Sequence, residues 1–244
     1  FQCVLPPAAP AGGAISIRKQ VIHDIGLDVY KSRGAFDDTR VGRQLRLSPA
    51  EETLAAMLQG DVDVMEFLRA AVRSRVSIAV SGGTSTGKST FLNALLKEVP
   101  DEERIVTIED TRELRPRTPN TVALLASKGD QGRAKVTPQQ LLEASLRMRP
   151  DRVMLGELRG EEAFSFLQAI NTGHPGSLTT VHANSARDAY DRLALMVMQS
   201  GVRLQKHEII DYLKEVIPVI VQLHRFPDGR RVVSEIVFTK GDVL

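Results

Sequence analysis

The chain has 244 residues, of which 42% are hydrophobic and 25% are charged, a balance that excludes a disordered or fibrous chain and allows one large globular domain plus a remnant of another. Its 32 basic and 30 acidic residues leave a net charge of 32 − 30 = +2, so no dedicated nucleic-acid binding is expected. The single cysteine, Cys3, excludes an internal disulfide and a cysteine-based zinc site, and it fits a reducing, cytoplasmic setting.

The first 47 residues predict a hairpin followed by a linker. Two short β-like runs, residues 1–5 and 14–19, flank a stretch of proline, glycine and alanine that favours a turn. Because the chain starts inside a strand-like run, we interpret residues 1–19 as the last hairpin of an N-terminal domain that is mostly missing. Residues 20–47 lack clear periodicity and are predicted to be a linker.

Residues 48–244 predict one α/β domain. Ser48 to Glu51 form a capping box with Pro49 at the first helical position, and Thr137 is a second N-cap. Because strands alternate with helices, the sheet is expected to be mainly parallel, with a hairpin at its end. Further helices are predicted over residues 62–73, 90–97, 138–147, 161–171, 186–199 and 207–215. The predicted strands cover residues 76–80, 104–108, 121–125, 153–155, 177–181, 219–223 and 231–238.

A glycine-rich segment between the first strand and the third helix of this domain fits the pattern G-x-x-x-x-G-K-[ST]. In that context the pattern predicts a phosphate-binding loop, because the glycines allow several backbone N–H groups to point inward beside the positive end of a helix. Lys88 is expected to bridge the β- and γ-phosphates of ATP, and the Ser89 hydroxyl to bind Mg²⁺. The predicted nucleotide-binding residues are Gly82, Gly83, Thr84, Ser85, Thr86, Gly87, Lys88, Ser89 and Thr90.

Three other predicted strands end in polar residues. Glu109 follows one strand, Glu157 a second and His182 a third. Because parallel strands end at the same edge of a sheet, these side chains are expected to lie beside the phosphate loop if the strands are neighbours. One carboxylate would bind Mg²⁺, directly or through water, and the other would orient the attacking water, with Glu157 favoured as a metal ligand.

Each of these residues also has a purely structural interpretation. An acid at the end of a strand is commonly solvated, and His182 fits a histidine that hydrogen-bonds the sheet edge nearly as well as one that senses the γ-phosphate. Several arginines lie near the acids in sequence, and one or two of them would neutralise the transferring phosphoryl group. Arg112 is the arginine that we assign to catalysis. The other arginines of this set are Arg133, Arg147, Arg149 and Arg159.

The ordered motifs resemble those of the traffic ATPases of type IV secretion systems, within the secretion ATPase superfamily of P-loop NTPases. Besides the phosphate loop, residues 105–114 match the family's Asp box, residues 146–159 its Walker B region and residues 172–183 its His box. The resemblance implies a RecA-like C-terminal domain after an N-terminal domain. It also implies a homo-hexameric ring with nucleotide at the subunit boundaries, and it places Arg18 to approach the nucleotide across the domain boundary.

The function implied by this resemblance is Mg²⁺-dependent hydrolysis of ATP to power substrate translocation or pilus assembly. The expected partners are secretion-machine proteins at the cytoplasmic face of the bacterial inner membrane, with the protein cytoplasmic and peripherally associated with that membrane. Alternatives are a pilus retraction ATPase or another P-loop motor that acts on nucleic acid. A small-molecule kinase would need an acceptor lid, which is not evident, and the paired acids disfavour a non-catalytic nucleotide-binding scaffold.

Overall fold

The computed structural model of the chain describes residues 1–19, 26–37, 39, 47–127 and 136–240. In chain order the strands are β1 (Gln2–Val4), β2 (Ala14–Ser16), β3 (Ile78–Gly82), β4 (Ile105–Glu109), β5 (Thr121–Leu125), β6 (Arg152–Leu155), β7 (Leu178–Val181), β8 (Val219–Arg225) and β9 (Arg231–Phe238). The helices are α1 (Leu27–Ser32), α2 (Pro49–Met57), α3 (Val64–Arg73), α4 (Lys88–Leu96), α5 (Pro138–Leu146), α6 (Glu162–Asn171), α7 (Ala186–Gln199) and α8 (Lys206–Val216).

Strands β3 to β9 form a seven-stranded sheet within the described residues, in the order β5-β4-β6-β7-β3-β8-β9. The first six strands of that order pair in parallel, and β9 pairs with β8 in the antiparallel direction. The prediction of an α/β domain with a mainly parallel sheet is therefore confirmed. The carboxyl ends of β4, β6, β7 and β3 consequently meet at one edge, which we call the carboxyl edge.

Helices cover both faces of the sheet. Alternate strand residues point to opposite faces, so in β3 Ala79 belongs to one hydrophobic core while Ile78 and Val80 belong to the other. The core on the Ala79 side is completed by α5 to α8, and the core on the opposite side by α2 to α4. Burial of both faces explains why the central strands are continuous apolar runs rather than alternating ones.

The local signals for helix starts are confirmed. Both reciprocal hydrogen bonds of the Ser48 capping box are present, and Thr137 forms a second box at the start of α5. The predicted strand 76–80 is displaced to residues 78–82, because pairing with β8 continues to Gly82. The helix predicted from residue 90 starts at Lys88, because Gly87 adopts φ 93° as its N-cap and the chain turns directly into the helix.

The N-terminal hairpin packs on the edge of the central sheet. Strands β1 and β2 pair in the antiparallel direction, as predicted, and the turn between them buries Ala8 and Ala9. The backbone N–H of Leu125 in β5 donates to the carbonyl of Ala8 at 2.7 Å. The hairpin therefore extends the hydrophobic core, and its assignment to a separate N-terminal domain stays a prediction.

Two further findings concern the remaining segments. The predicted linker contains the short helix α1, which buries none of its residues and has no periodic apolar pattern to reveal it. The rest of that linker falls partly on residues 20–25, 38 and 40–46, outside the described residues.

Across the described segments, no helix combines the length and apolar character needed to cross a membrane.

The amino edge of the sheet, where β6 begins, contains a buried ion pair. Arg152 is 0% exposed and donates from Nε and Nη2 to the Glu103 carboxylate at 2.6 and 2.8 Å. Its Nη1 donates to the carbonyls of Val72 and Gly176. The guanidinium thereby joins α3, β6 and the loop before β7 through four hydrogen bonds, and the charge of Glu103 is balanced.

Candidate functional site

The phosphate loop leaves β3 and enters α4 at the carboxyl edge. Thr86 donates its hydroxyl to the carbonyl of Gly83 at 2.9 Å, which closes the loop on itself. Ser85 has φ 62°, a left-handed conformation that non-glycine residues rarely adopt and that turns the backbone sharply at this point. The loop is thus a compact turn that leads directly into the positive end of α4.

Lys88 anchors the loop from inside. It is 9% exposed, and its Nζ donates to the carbonyls of Gly82 and Gly83 at 2.9 and 3.0 Å. The same Nζ lies 3.4 Å from the ring nitrogens of His182 at the end of β7. Burial lowers the pKa of Lys88, and the nearby carboxylate of Glu157 partly opposes that shift.

Glu157 lies at the centre of a charged network. One carboxylate oxygen accepts from Nη2 of Arg159 at 2.5 Å, and the other lies 3.3 Å from Nε2 of His182. Arg159 also pairs with Asp110, which follows β4. A single guanidinium therefore links the ends of β4 and β6, and it holds the carboxylate of Glu157 in a fixed direction.

Glu109 ends β4 and is buried. Its Oε1 accepts from the backbone N–H groups of Glu113 and Leu114, both at 2.8 Å, whereas its buried Oε2 accepts from no described residue. A side chain at Gly156 would come within 3.2 Å of the Glu109 side chain, so glycine at that position makes room for it. Burial raises the pKa of Glu109, although the two backbone donors oppose this.

The environment of His182 favours the neutral form of its imidazole. Burial and the adjacent charge of Lys88 lower its pKa, and the carboxylate of Glu157 does not reverse the shift. A neutral imidazole can donate from one ring nitrogen and accept at the other. Nε2 of His182 lies 3.4 Å from Nζ of Lys88 and 3.3 Å from Oε1 of Glu157, so the imidazole contacts both groups.

A cleft of about 390 Å³ brings most of the predicted residues together. Among them, Gly82, Gly83 and Thr86 shape the loop without lining the cleft. Arg112 is exposed and does not line it either, so its catalytic role in this site stays a prediction. The predicted residues that line the cleft are Thr84, Ser85, Gly87, Lys88, Ser89, Thr90, Glu109, Glu157 and His182.

The arginines near the acids in sequence separate in the structure. Arg159 lines the cleft, whereas Arg147 and Arg149 precede β6 and so lie towards the amino edge of the sheet. Arg133 falls outside the described residues. The sequence placed Arg159 among these arginines but did not single it out, and its position two residues after Glu157 was the available signal.

One contact to the loop had no signal in the sequence. Arg231 at the start of β9 donates from Nε to the carbonyl of Ser85 at 3.0 Å. The two residues are 146 positions apart. Only the placement of β9 beside β8, which itself pairs with β3, brings them together.

The phosphate loop after a central parallel strand, with acids and a histidine at the ends of neighbouring strands, defines a P-loop nucleoside triphosphatase domain of the RecA-like type. The family model described as "Type II/IV secretion system protein" matches residues 37–234 of the chain. The chain belongs to this family, and within it to the type IV secretion traffic ATPases.

Individual relatives support this assignment. The type IV secretion system protein VirB11 of Bartonella quintana is 38% identical over 98% of this chain and 70% of its own length. VirB11 of Brucella suis is 39% identical over 92% of this chain and 63% of its own length. The crystal structure of the Brucella suis VirB11 ATPase in complex with sulphate matches with a TM-score of 0.87 and 36% identity, covering 99% of this chain and 74% of that chain.

More distant structures show only the shared fold. The pilus retraction motor PilT with bound ADP matches with a TM-score of 0.53 and 24% identity, covering 80% of this chain and 55% of that chain.

Proposed function

We propose that this chain is a Mg²⁺-dependent ATPase that hydrolyses ATP to ADP and phosphate and powers substrate translocation or pilus assembly in a type IV secretion system. The observation that carries the proposal is the convergence of Lys88, Glu157 and His182 in one cleft. The phosphate-loop lysine lies there beside an acid and an imidazole, and P-loop phosphoryl transfer uses such a lysine together with a carboxylate that holds Mg²⁺ and a group that orients the attacking water.

The residues of the cleft fit ATP with Mg²⁺. The described residues contain no group of three His, Cys, Asp or Glu side chains able to hold a metal, and P-loop sites typically bind Mg²⁺ through few protein ligands and the phosphates themselves. Ser89 and Glu157 line the cleft and supply a hydroxyl and a carboxylate for that purpose. When bound, Mg²⁺ would neutralise charge on the phosphate oxygens.

The two acids are suited to different tasks. Both oxygens of Glu157 have partners, which orients its carboxylate firmly. Glu109 keeps one buried oxygen without a described partner, and its pKa is raised by burial. A buried acceptor of this kind suits the orientation of a water molecule and the acceptance of its proton. We therefore propose that Glu157 is the main catalytic acid and acts at the metal and phosphates, with Glu109 as the second candidate for the acid that activates water.

Lys88 and His182 contribute through charge and hydrogen bonding. The ammonium of Lys88 offers charge to the β- and γ-phosphates in place of its present carbonyl partners. His182 connects Lys88 to Glu157, so it is placed to sense whether the γ-phosphate is present. Its tautomer would be set by whichever of these two groups it contacts more closely.

We further propose that the chain works as a homo-hexamer associated with secretion-machine proteins at the cytoplasmic face of the inner membrane. Arg112 and Arg18 are exposed, so a neighbouring subunit could supply either of them to the cleft. An arginine added from a neighbour is worth roughly 10³-fold or more in rate in other NTPases. The VirB11 relatives are longer than this chain. The hexamer is therefore proposed for a protein of their full length.

A pilus retraction ATPase is the alternative function. The similarity to PilT, at 24% identity, concerns the fold alone, whereas the Brucella suis VirB11 ATPase is 36% identical at a much higher TM-score. The secretion ATPase is therefore the better supported of the two. Stimulation of hydrolysis by DNA, lost at high salt, would instead favour a motor that acts on nucleic acid.

The direct test of catalysis is ATP turnover with Mg²⁺ by the wild-type protein and by Lys88→Ala. The substitution removes the charge between the β- and γ-phosphates, so tight ATP binding or turnover should be abolished. Lys97→Ala changes an exposed lysine at the end of α4 and serves as the matched control. Hydrolysis by Lys88→Ala at the rate of the wild type would refute the phosphate-loop assignment.

The test of assembly measures specific activity against protein concentration, with mass measured in parallel, on a protein that includes the N-terminal domain. Activity should fall on dilution and return when the protein is concentrated. Equal activity per subunit in a dissociated monomer would exclude a site shared between subunits.

A further inference from the structure

Arg231, the first residue of β9, contacts the phosphate loop from outside the cleft that contains Lys88 and Glu157. Its side chain is exposed, and β9 contributes none of the described residues that line that cleft. The Nε of Arg231 nevertheless donates to the backbone carbonyl of Ser85 at 3.0 Å. A side chain on a distant strand is thus bonded directly to the backbone of the loop.

The carbonyl that accepts this bond belongs to a strained turn. Ser85 has φ 62°, a left-handed conformation that is disfavoured for a residue with a Cβ and persists where neighbouring groups hold it. A trans peptide is planar, so the C=O of Ser85 and the N–H of Thr86 point in opposite directions. The hydrogen bond from Arg231 therefore also fixes the direction of that N–H. Backbone N–H groups of such loops are the donors that bind phosphate oxygens.

The strand that carries Arg231 is fixed relative to the start of the loop. Leu223 of β8 pairs with Gly82, the last residue of β3. At the end of β8, Arg225 pairs with Arg231 of β9. Because these pairings belong to one sheet, the donor on β9 and the first residue of the loop are held by a common rigid element.

The stem of Arg231 also packs against a second left-handed residue of the loop. Gly87 has φ 93° and is the N-cap of α4. A side chain at Gly87 would come within 3.3 Å of Cδ of Arg231, so glycine leaves room for the arginine. Arg231 therefore contacts Ser85 through a hydrogen bond and Gly87 through packing. Together these contacts hold the segment that leads into the positive end of α4.

We propose that Arg231 is a positioning residue of the ATPase, which holds the backbone of residues 85–87 in the conformation that binds the triphosphate. Its contribution is preorganisation, because a loop that is already ordered loses less conformational freedom when the phosphates bind. The arginine acts through the loop and not on the reacting atoms. This inference rests on the proposed function, because it assumes that a triphosphate binds at the loop.

The test compares the affinities of ATP and inorganic tripolyphosphate, each with Mg²⁺, in the wild type and in Arg231→Ala, by titration calorimetry. Both ligands use the loop, so both dissociation constants should rise by the same factor, about fivefold or more. The free energy of unfolding, measured in urea, should stay close to that of the wild type, because the side chain is exposed. A purely structural role would instead lower stability and leave the affinities of the folded protein unchanged.

The matched control is Arg230→Ala, which removes the same charge one residue earlier. Arg230 pairs with Asp228 and lies over the ring of Phe226 at 4.8 Å, so its loss should leave both affinities unchanged. The ratio of the Arg231→Ala and wild-type dissociation constants should be the same at low and at high salt. A long-range charge effect would be screened by salt, whereas the effect of a held backbone would not.

Hydrogen exchange in the absence of nucleotide reports on the loop directly. Backbone amides within residues 83–89 should exchange faster in Arg231→Ala than in the wild type, and at the wild-type rate in Arg230→Ala. Unchanged exchange in Arg231→Ala would overturn the inference.

The affinities provide further ways to overturn it. Unchanged affinities in Arg231→Ala, an equal loss in Arg230→Ala, or a loss that disappears at high salt would each exclude a positioning role. A loss for ATP alone would exclude it as well, because the effect would then lie outside the phosphates. All of these results would leave the proposed ATPase intact. If the wild type bound neither ligand, the proposed function itself would fail, and this inference with it.

Discussion

The two edges of the central sheet use the same residue types in opposite ways. At the amino edge, Arg152 and Glu103 are buried, paired through two hydrogen bonds, and locked to the carbonyls of neighbouring elements. At the carboxyl edge, Glu157 and Arg159 pair beside an open cleft. An arginine–glutamate pair is therefore not by itself a sign of function, and access to solvent and to a cleft separates the two cases.

The buried glutamates of the two edges differ in their electrostatics. Burial works to raise the pKa of Glu103, but the hydrogen bonds and charge of Arg152 outweigh it, and the pKa is lowered. At Glu109 burial dominates over two backbone donors, and the pKa is raised. The structural carboxylate is thus stabilised in its charged form, whereas the carboxylate in the cleft is held in a form that accepts a proton more readily.

The largest effect on stability is expected from Arg152→Ala. The substitution leaves the carboxylate of Glu103, which is 7% exposed, without its main partner. The free energy of unfolding should fall by about 3–5 kcal/mol, measured by urea denaturation, while ATP affinity of the folded protein is retained. Arg147→Ala, at an exposed arginine, should change stability by about 0.5 kcal/mol or less. Loss of under about 1 kcal/mol in Arg152→Ala would contradict a structural role for the amino edge.

At the carboxyl edge, Glu157→Gln is expected to affect turnover rather than stability. The substitution keeps the shape of the side chain and removes its charge. ATP binding should remain largely intact while turnover falls by about 10²-fold or more, with the free energy of unfolding changed by about 1 kcal/mol or less. Glu161→Gln, at an exposed residue before α6, is the control and should retain turnover. If Glu157→Gln kept turnover within a few-fold of wild type, Glu109 would become the better candidate for the main catalytic acid.

The smallest effect concerns the stability cost of the buried charge on Glu109. Its pKa is higher in the folded than in the unfolded state, so the folded protein takes up a proton first as the pH falls, and its unfolding free energy rises. Glu109→Gln removes this dependence. At pH 7 the variant should be more stable than wild type by about 1 kcal/mol or less, and the difference should shrink towards about pH 5.

The measurement is urea denaturation of Glu109→Gln and wild type at both pH values. Glu102→Gln, which changes an exposed acid, should show no such pH-dependent difference. A stability difference for Glu109→Gln that stayed constant between the two pH values would show that burial does not raise the pKa of this carboxyl.

Much of the fold and the site could be predicted from local patterns. The capping box at Ser48 and the N-cap at Thr137 were confirmed, because a cap depends only on residues within one turn. The meeting of Glu109, Glu157 and His182 at one edge followed from the rule that parallel strands end together. Helix and strand limits near the phosphate loop were displaced by two residues, since pairing of β3 with β8 and the left-handed Gly87 decide where each ends.

The sequence alone determined the α/β class, the phosphate loop and the acids that accompany it, because each depends on residue types at short fixed spacing. Only the tertiary structure decided that Arg159, and not Arg112, lines the cleft, and that Arg231 contacts the loop from a distant strand. It also decided that the buried Glu103 is paired with an arginine, whereas the buried Glu109 is held by backbone N–H groups. These features depend on strand order and burial, and both are set by the packing of the whole chain rather than by any segment of it.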